Sequence, residues 1–252
     1  MMANPPRFDL GRRELLGLTL RGLALGALAS APFGARAQGT AALKIATIGA
    51  GREGGALGTL FAQHGHKVMF SSRNPDQLKD LVTKAGPNAQ AGTVADAVAF
   101  GDVVLVVVPY TAMEQIGRDY GTALAGKVLV MDVSNPIPRR DGEDFVKSIN
   151  DQGGAGIVAA KWLPGSHIVR AFNAIGFGRL EEGSQRKGDP VGVPIAGDDK
   201  KAIEVASSLI KEVGFEPVLV GGLAMGKYLV PGTALGGEHS PAEIKQIAAT
   251  LK

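Results

Sequence analysis

Residues 43–73 read LKIATIGAGREGGALGTLFAQHGHKVMFSSR. A short apolar run, Ile45-Ala46-Thr47-Ile48, passes into Gly49-Ala50-Gly51-Arg52-Glu53-Gly54, a helix-like segment follows to His64, and Val68-Met69-Phe70 closes the unit. The order predicted is strand, glycine turn, helix, strand. In that setting each glycine serves a different need. Gly49 makes the tight turn, Gly51 lets backbone approach a pyrophosphate, and Gly54 lets the helix lie close to the sheet. The first helical turn then offers free N–H groups and a partial positive charge to phosphates. Together these features predict a dinucleotide site.

The end of the second strand decides which dinucleotide. A site for NAD places a carboxylate there, about 20 residues after the glycines, to hold the ribose 2′-hydroxyl, whereas a 2′-phosphate calls for cations and hydroxyl donors. The residues present are Ser71, Ser72, Arg73 and Asn74, with no carboxylate before Asp76. Ser72 supplies a hydroxyl and Arg73 a planar guanidinium, so the expected cofactor is NADP(H).

Outward from this unit the pattern keeps alternating. Helix-like segments are predicted at 77–85, 94–100, 111–124, 157–163 and 200–213, and strands at 89–92, 103–108, 127–132, 167–172, 192–196 and 216–220. The run Val103-Val104-Leu105-Val106-Val107-Val108 has the unbroken apolar character of a parallel strand buried on both faces. Alternating strands and helices predict an α/β fold, Rossmann-like and doubly wound, with a mainly parallel sheet and helices on both faces. In such sheets ligands sit at the carboxyl ends of the strands, where Pro109, Asn135 and Asn173 fall. Asn135 reads equally as an amide reaching the nicotinamide and as an Asx-turn residue before Pro136. The charged run between residues 139 and 144 reads as a solvated loop without function, and residues 177–190 as a loop. Residues 223–228 predict a last helix under the site, whose Lys227 and Tyr228 read equally as acceptor-side groups and as plain helix surface. Ser240-Pro241-Ala242-Glu243 is a capping box with proline at the first helical position.

The 252 residues contain no cysteine, which removes disulfides, thiolate zinc sites and cysteine nucleophiles. None of the four histidines has metal-ligand spacing, and His64-Gly65-His66 reads as a helix end followed by strand entry. The net charge of +3 lies wholly in residues 1–37, where five Arg face Asp9 and Glu14; the remainder is balanced, which gives a nucleic-acid surface no support. Residues 1–37 carry a basic start with Arg12-Arg13, an apolar stretch at 15–31 broken by Arg21, and Ala35-Arg36-Ala37 as a small-x-small cleavage site. This is the pattern of a twin-arginine export signal, and it predicts cleavage after Ala37, a periplasmic location and no stable membrane anchor after cleavage. The expected division is a signal at 1–37, a nucleotide-binding domain at 43–228 and a helical extension at 229–252.

With IGAGREGGALGTLFAQHGHKV, SSRNP, VVLVVVP, KVLVMDVSNPI, HIVRAFNAI and VPIAGDDKKAIEVASSLIKEVGFEPVLVGGL in view, the chain resembles the deazaflavin (coenzyme F-420)-dependent NADP oxidoreductases. It also resembles the related NADPH-binding domain of six-transmembrane metalloreductases. The resemblance implies NADPH held by the backbone of Ala50, Gly51, Arg52 and Glu53, with Ser72 and Arg73 at the 2′-phosphate and Val108, Pro109, Asn135 and Ala171 along the nicotinamide ribose. It implies hydride transfer to a deazaflavin or flavin stacked on the nicotinamide, in a homodimer. Asn173-Ala174 stands where deazaflavin-type members carry a His-Thr pair, nearer the metalloreductase form. Hydride transfer between two rings needs positioning and exclusion of water more than a catalytic side chain, and no catalytic residue is assigned. The expected activity is that of an exported NADP(H)-dependent oxidoreductase with a small redox acceptor; the alternative is an NADP(H)-binding module without turnover.

Overall fold

The computed structural model describes Met1 and residues 42–251, so the leader segment expected at 1–37, apart from Met1, lies outside the described residues. Eight strands form one sheet: β1 (Lys44–Ile48), β2 (Lys67–Ser71), β3 (Ala89–Gly92), β4 (Val103–Val106), β5 (Leu129–Asp132), β6 (Ile168–Arg170), β7 (Gly192–Gly197) and β8 (Glu216–Gly221). Their order across the sheet is β3-β2-β1-β4-β5-β6-β7-β8. The first six run parallel, β7 is antiparallel to β6, and β8 is parallel to β7. The α/β, mainly parallel expectation holds, with one reversal at β7.

Strand residues alternate between two apolar layers, as a sheet covered on both faces requires. Ile45, Val103, Leu105, Leu129 and Met131 face one core with Leu57, Leu60 and Phe61. Ala46, Ile48, Val104, Val106 and Val130 face the other with Met113, Leu124 and Val158. A slip of one residue would exchange both sets at once, so register is fixed by packing.

The helices that fill these layers are α1 (Arg52–Gln63), α2 (Lys79–Ala85), α3 (Val94–Phe100), α4 (Met113–Ala125), α5 (Pro138–Asp141), α6 (Glu143–Asp151), α7 (Ala155–Trp162), α8 (Phe177–Ser184), α9 (Lys200–Glu212) and α10 (Pro241–Thr250). Short 3-10 turns precede α2 at Pro75–Leu78 and α4 at Tyr110–Ala112. Two capping boxes start helices: Thr93 with Asp96 on α3, and Ser240 with Glu243 on α10. Asp199 starts α9 by accepting from the Ala202 amide. His64 ends α1 and Gly65, at φ +96°, turns the chain into β2. His66 is then buried between the Leu43 amide, which donates to its Nδ1 at 3.1 Å, and Glu212 at 2.8 Å.

Three expectations need correction. The charged run at 139–144 is not a loop: Pro138 starts one helical turn, Gly142 at φ +92° breaks it, and α6 follows. Residues 177–184 are helical as α8, because Leu180 finds a buried place in the core. The segment Leu223–Tyr228 is a 3-10 helix. Residues 229–251 pack against the sheet edge, where Leu229, Leu235 and Ile244 form a third apolar cluster with Ala196 and Val218.

Candidate nucleotide site

The carboxyl ends of β1 and β4 are neighbours, and the chain leaves β1 toward β2 on one side and β4 toward β5 on the other. This is the switch point at which open α/β sheets receive ligands. Gly49 has φ +98°, and a β-carbon there would stand 2.3 Å from the Val107 carbonyl oxygen. At Gly54 a β-carbon would meet the Gly49 oxygen at 2.0 Å, which is the helix-to-turn contact the spacing predicts. Gly51 differs: a β-carbon there has nothing within 4 Å. Its missing side chain leaves room in the cleft itself, directly before the first turn of α1, whose amides have no intrahelical acceptors. The Ala50 amide donates to the Ser71 carbonyl at 3.1 Å and ties this turn to the end of β2.

Two hollows meet at Gly51, Val107, Val108 and Pro109. The larger, about 730 Å3, runs past Gly49 and Ala50 to Ser72, Arg73 and Leu78. At its rim Arg73 is exposed with no ion pair among the described residues, and Ser72 accepts from the Asn74 amide at 3.1 Å. The smaller, about 320 Å3, is lined by Arg52, Glu53 and Gly54, then by Asn135, Arg140, Phe172, Asn173 and Pro231. The two together place Ser72 and Arg73 on one side of the shared Gly51 and Asn135 and Asn173 on the other. The open cradle at Gly51 between them fits a diphosphate.

Beneath the smaller hollow lies a polar network. Arg170, wholly buried at the end of β6, pairs with the buried Asp132 carboxylate at the end of β5. It also donates to the Ser134 carbonyl at 3.1 Å and to Asn135 Oδ1 at 3.2 Å. Burial pushes the Asp132 carboxyl up, against the opposing pull of the Arg170 guanidinium. The arginine stem passes where a β-carbon on Gly226 would stand 2.5 Å from its Cδ. Asn173 Nδ2 donates to the carbonyls of Asp132 and Ser134 at 3.1 and 3.2 Å, and Asn135 Nδ2 returns a bond to the Asn173 carbonyl at 2.8 Å. Asn135 is therefore a link between the ends of β5 and β6. Ser134 Oγ donates to the Val106 carbonyl and accepts from the Val108 amide, each at 3.1 Å, which shapes the exit of β4. Phe172 is buried at φ +60°, a strained setting for a bulky residue, and it packs edge-on against Phe215 with ring centres 5.5 Å apart.

The structure brings Gly49, Ala50, Gly51, Arg52, Glu53, Gly54, Ser72, Arg73, Val108, Pro109, Asn135 and Asn173 to this one cleft. Ala171 is wholly buried behind it. Lys227 and Tyr228 line neither hollow; the Lys227 ammonium lies 4.9 Å over the Tyr228 ring, and its Cβ sits where a β-carbon on Gly154 would come within 2.5 Å. Arg140 had no sequence assignment, yet it lines the smaller hollow, donates to the Asn135 carbonyl and pairs with Asp141 at 2.8 Å. Its only advance signal was the Pro138 and Gly142 pair, which bounds a turn tight enough to point it back. The Glu53 side chain, beyond its backbone, also lines the hollow. Burial pushes its carboxyl up to about 7, opposed in part by the Phe177 amide, and its Oε1 has no hydrogen-bond partner.

Residues 44–136, which hold the glycine turn, the β2 end and the exits of β4 and β5, match the coenzyme F420-dependent NADP oxidoreductase family. Over that stretch the chain is similar to that family. The chain is 30% identical over 184 residues to metalloreductase STEAP3 of Rattus norvegicus, covering 72% of this chain and 34% of that protein. It thus spans about a third of that curated relative. Among solved structures, a hypothetical protein from Sinorhizobium meliloti superposes with a TM-score of 0.64 at 25% identity, covering 79% of this chain and 94% of the other. A putative F420-dependent NADP-reductase from an Arthrobacter species gives a TM-score of 0.64 at 20% identity, covering 73% and 87%, and shows the shared fold. The chain has the fold of NADP-dependent oxidoreductases, and the match to that family model supports NADP(H) as the nucleotide.

Proposed function

We propose that the chain is an exported oxidoreductase that transfers hydride between NADPH and a flavin- or deazaflavin-like ring. The observation that carries this reading is the pair of hollows joined at Gly51, with Ser72 and Arg73 at one end and no carboxylate to hold a 2′-hydroxyl. In this reading the bound nicotinamide supplies the hydride. The protein's residues bind and orient: Arg73 and Ser72 take the 2′-phosphate, the first turn of α1 takes the diphosphate, and Val108 and Pro109 wall the path between the two ends. Asn135 and Asn173, held to each other and to Arg170, form a fixed polar wall of the smaller hollow. The acceptor would stack over that hollow, where Pro231 and Phe172 help to exclude water.

One observation favours a second reading, a nucleotide-binding module without turnover: in the rat relative the matched stretch is a third of a longer protein. Two measurements on the purified chain separate the readings. Calorimetry should show NADPH held at least tenfold more tightly than NADH, and Arg73→Ala should erase most of that difference, since a charge-assisted contact contributes about 1.5–3 kcal/mol. NADPH oxidation with FMN, a deazaflavin or a ferric chelate supports the enzyme; tight binding with no turnover on all three supports the module. Equal binding of NADH and NADPH removes both. Export belongs to the same reading, and replacing Arg12 and Arg13 by lysine should leave the protein in the cytoplasm. A homodimer is the assembly proposed, to be read from light scattering.

A further inference from the structure

We propose that Glu53 meets the cofactor as a neutral carboxylic acid, so that NADP(H) enters the cleft together with one proton. This rests on the nucleotide reading above and deepens it. Glu53 is the second residue of α1, between the Gly51 cradle and Gly54, and all three line the same hollow. Its Oε1 is buried and has no hydrogen-bond partner among the described residues. A diphosphate seated on the first turn of α1 brings only acceptor oxygens and negative charge to that place. An ionised carboxylate is also an acceptor alone, so the two would repel with no hydrogen between them. A protonated Glu53 removes the charge and turns an oxygen without a partner into a donor for a phosphate oxygen. The small protonation cost in the free protein follows from its half-buried position, which holds the carboxyl near neutrality before any ligand arrives.

The neighbouring charges leave Glu53 without a compensating cation. On its own helix, the Arg52 guanidinium lies 5.4 Å over the Phe177 ring. Across the hollow, Arg140 is committed to Asp141 and to the Asn135 carbonyl. On α8, Arg179 is paired with Glu182 and Glu238. Below, Asp132 and Arg170 neutralise each other. None of these forms an ion pair with Glu53.

The test is calorimetry of NADP+ binding to the full chain in two buffers of different ionisation heat, from about pH 6.5 to about pH 8.5. The expected result is uptake of nearly one proton at about pH 8, with little uptake below neutrality. The dissociation constant should rise about tenfold per pH unit above 7, because only the protonated form binds well. Glu53→Gln, which keeps the donor and discards the titration, should bind without uptake and with an affinity flat in pH. Repeating the titration with NAD+, which lacks the 2′-phosphate, should retain the uptake and assigns it to the diphosphate end. The infrared difference spectrum of the unmodified protein on binding should gain a protonated-carboxyl band, a readout that does not depend on the variant folding. NADP+ binding with no proton uptake at about pH 8, or uptake that persists in Glu53→Gln, overturns the proposal while leaving the nucleotide reading intact. No binding at any pH overturns both.

Discussion

Gly51 and Gly54 separate two reasons for a glycine that look alike in the sequence. At Gly54 the missing side chain is needed by the protein, because a β-carbon would lie 2.0 Å from the Gly49 oxygen. At Gly51 nothing of the protein lies within 4 Å, and in the proposed reading it is the ligand that needs the missing side chain. Gly51→Ala should therefore shift the thermal midpoint by no more than about 4 °C while weakening NADPH binding at least tenfold. Gly54→Ala should lose about 1–3 kcal/mol of stability or more by overpacking, and its binding should fall as a consequence. Thermal melts beside calorimetry distinguish the two, and equal loss of stability in both variants would contradict the assignment of the open side to the cleft.

At the scale of the elements, the site is held by what joins β5 to β6. Arg170 reaches from one strand end to the other through Asp132, Ser134 and Asn135, and it is wholly buried. Removing the cation leaves a buried carboxylate with no counter-charge and the Ser134 amide as its remaining donor, at 2.9 Å, a change that typically costs about 3–5 kcal/mol. Arg170→Met should show a loss of that order in urea unfolding. Asp132→Leu combined with Arg170→Met should recover much of it, because the double change removes the stranded charge. Should the double variant be less stable than the single one, the pair would be contributing through packing of the arginine stem under Gly226 and Gly156.

For the whole molecule, the carboxylates set a window of pH stability. Asp96 and Glu243 are held below the ordinary carboxylate range by hydrogen bonds from Thr93 and Ser240, and Asp199 by the Ala202 amide and His167. At Asp141 burial pulls upward, but hydrogen bonds from Arg140 and the Ile137 amide prevail and its carboxyl is lowered too. A group whose value is lower in the folded state adds stability above its unfolded value and loses it as pH falls through the folded one. Glu53 has the opposite sign. Its value rises from 4.5 to about 7, so its stabilising part is complete below 4.5 and is lost as pH climbs through about 7. The cost on the alkaline side is at most about 3 kcal/mol. The urea midpoint should therefore peak near about pH 5, fall toward acid as the hydrogen-bonded carboxylates protonate, and fall from about pH 5 to about pH 7 as the Glu53 contribution is lost, levelling off above that. In Glu53→Gln the decline toward neutrality should disappear and the acid one remain; an unchanged upper limb would place the titration elsewhere.

The sequence by itself determined the alternation of strands and helices, the glycine turn, the capping boxes and the residues at the ends of β1, β2, β4 and β5. These follow from periodicity and turn chemistry, which act between residues a few positions apart. It did not reveal the reversal of β7, because the apolar pattern of a buried strand is the same in either direction. Nor did it reveal that Arg140 and the Glu53 carboxyl converge on one hollow, or that Arg170 meets Asp132 across 38 residues of chain. Only the tertiary structure decided those partnerships. The register of β5 against β6 and the seating of α5 and α8 bring together charges whose spacing along the chain carries no mark of contact.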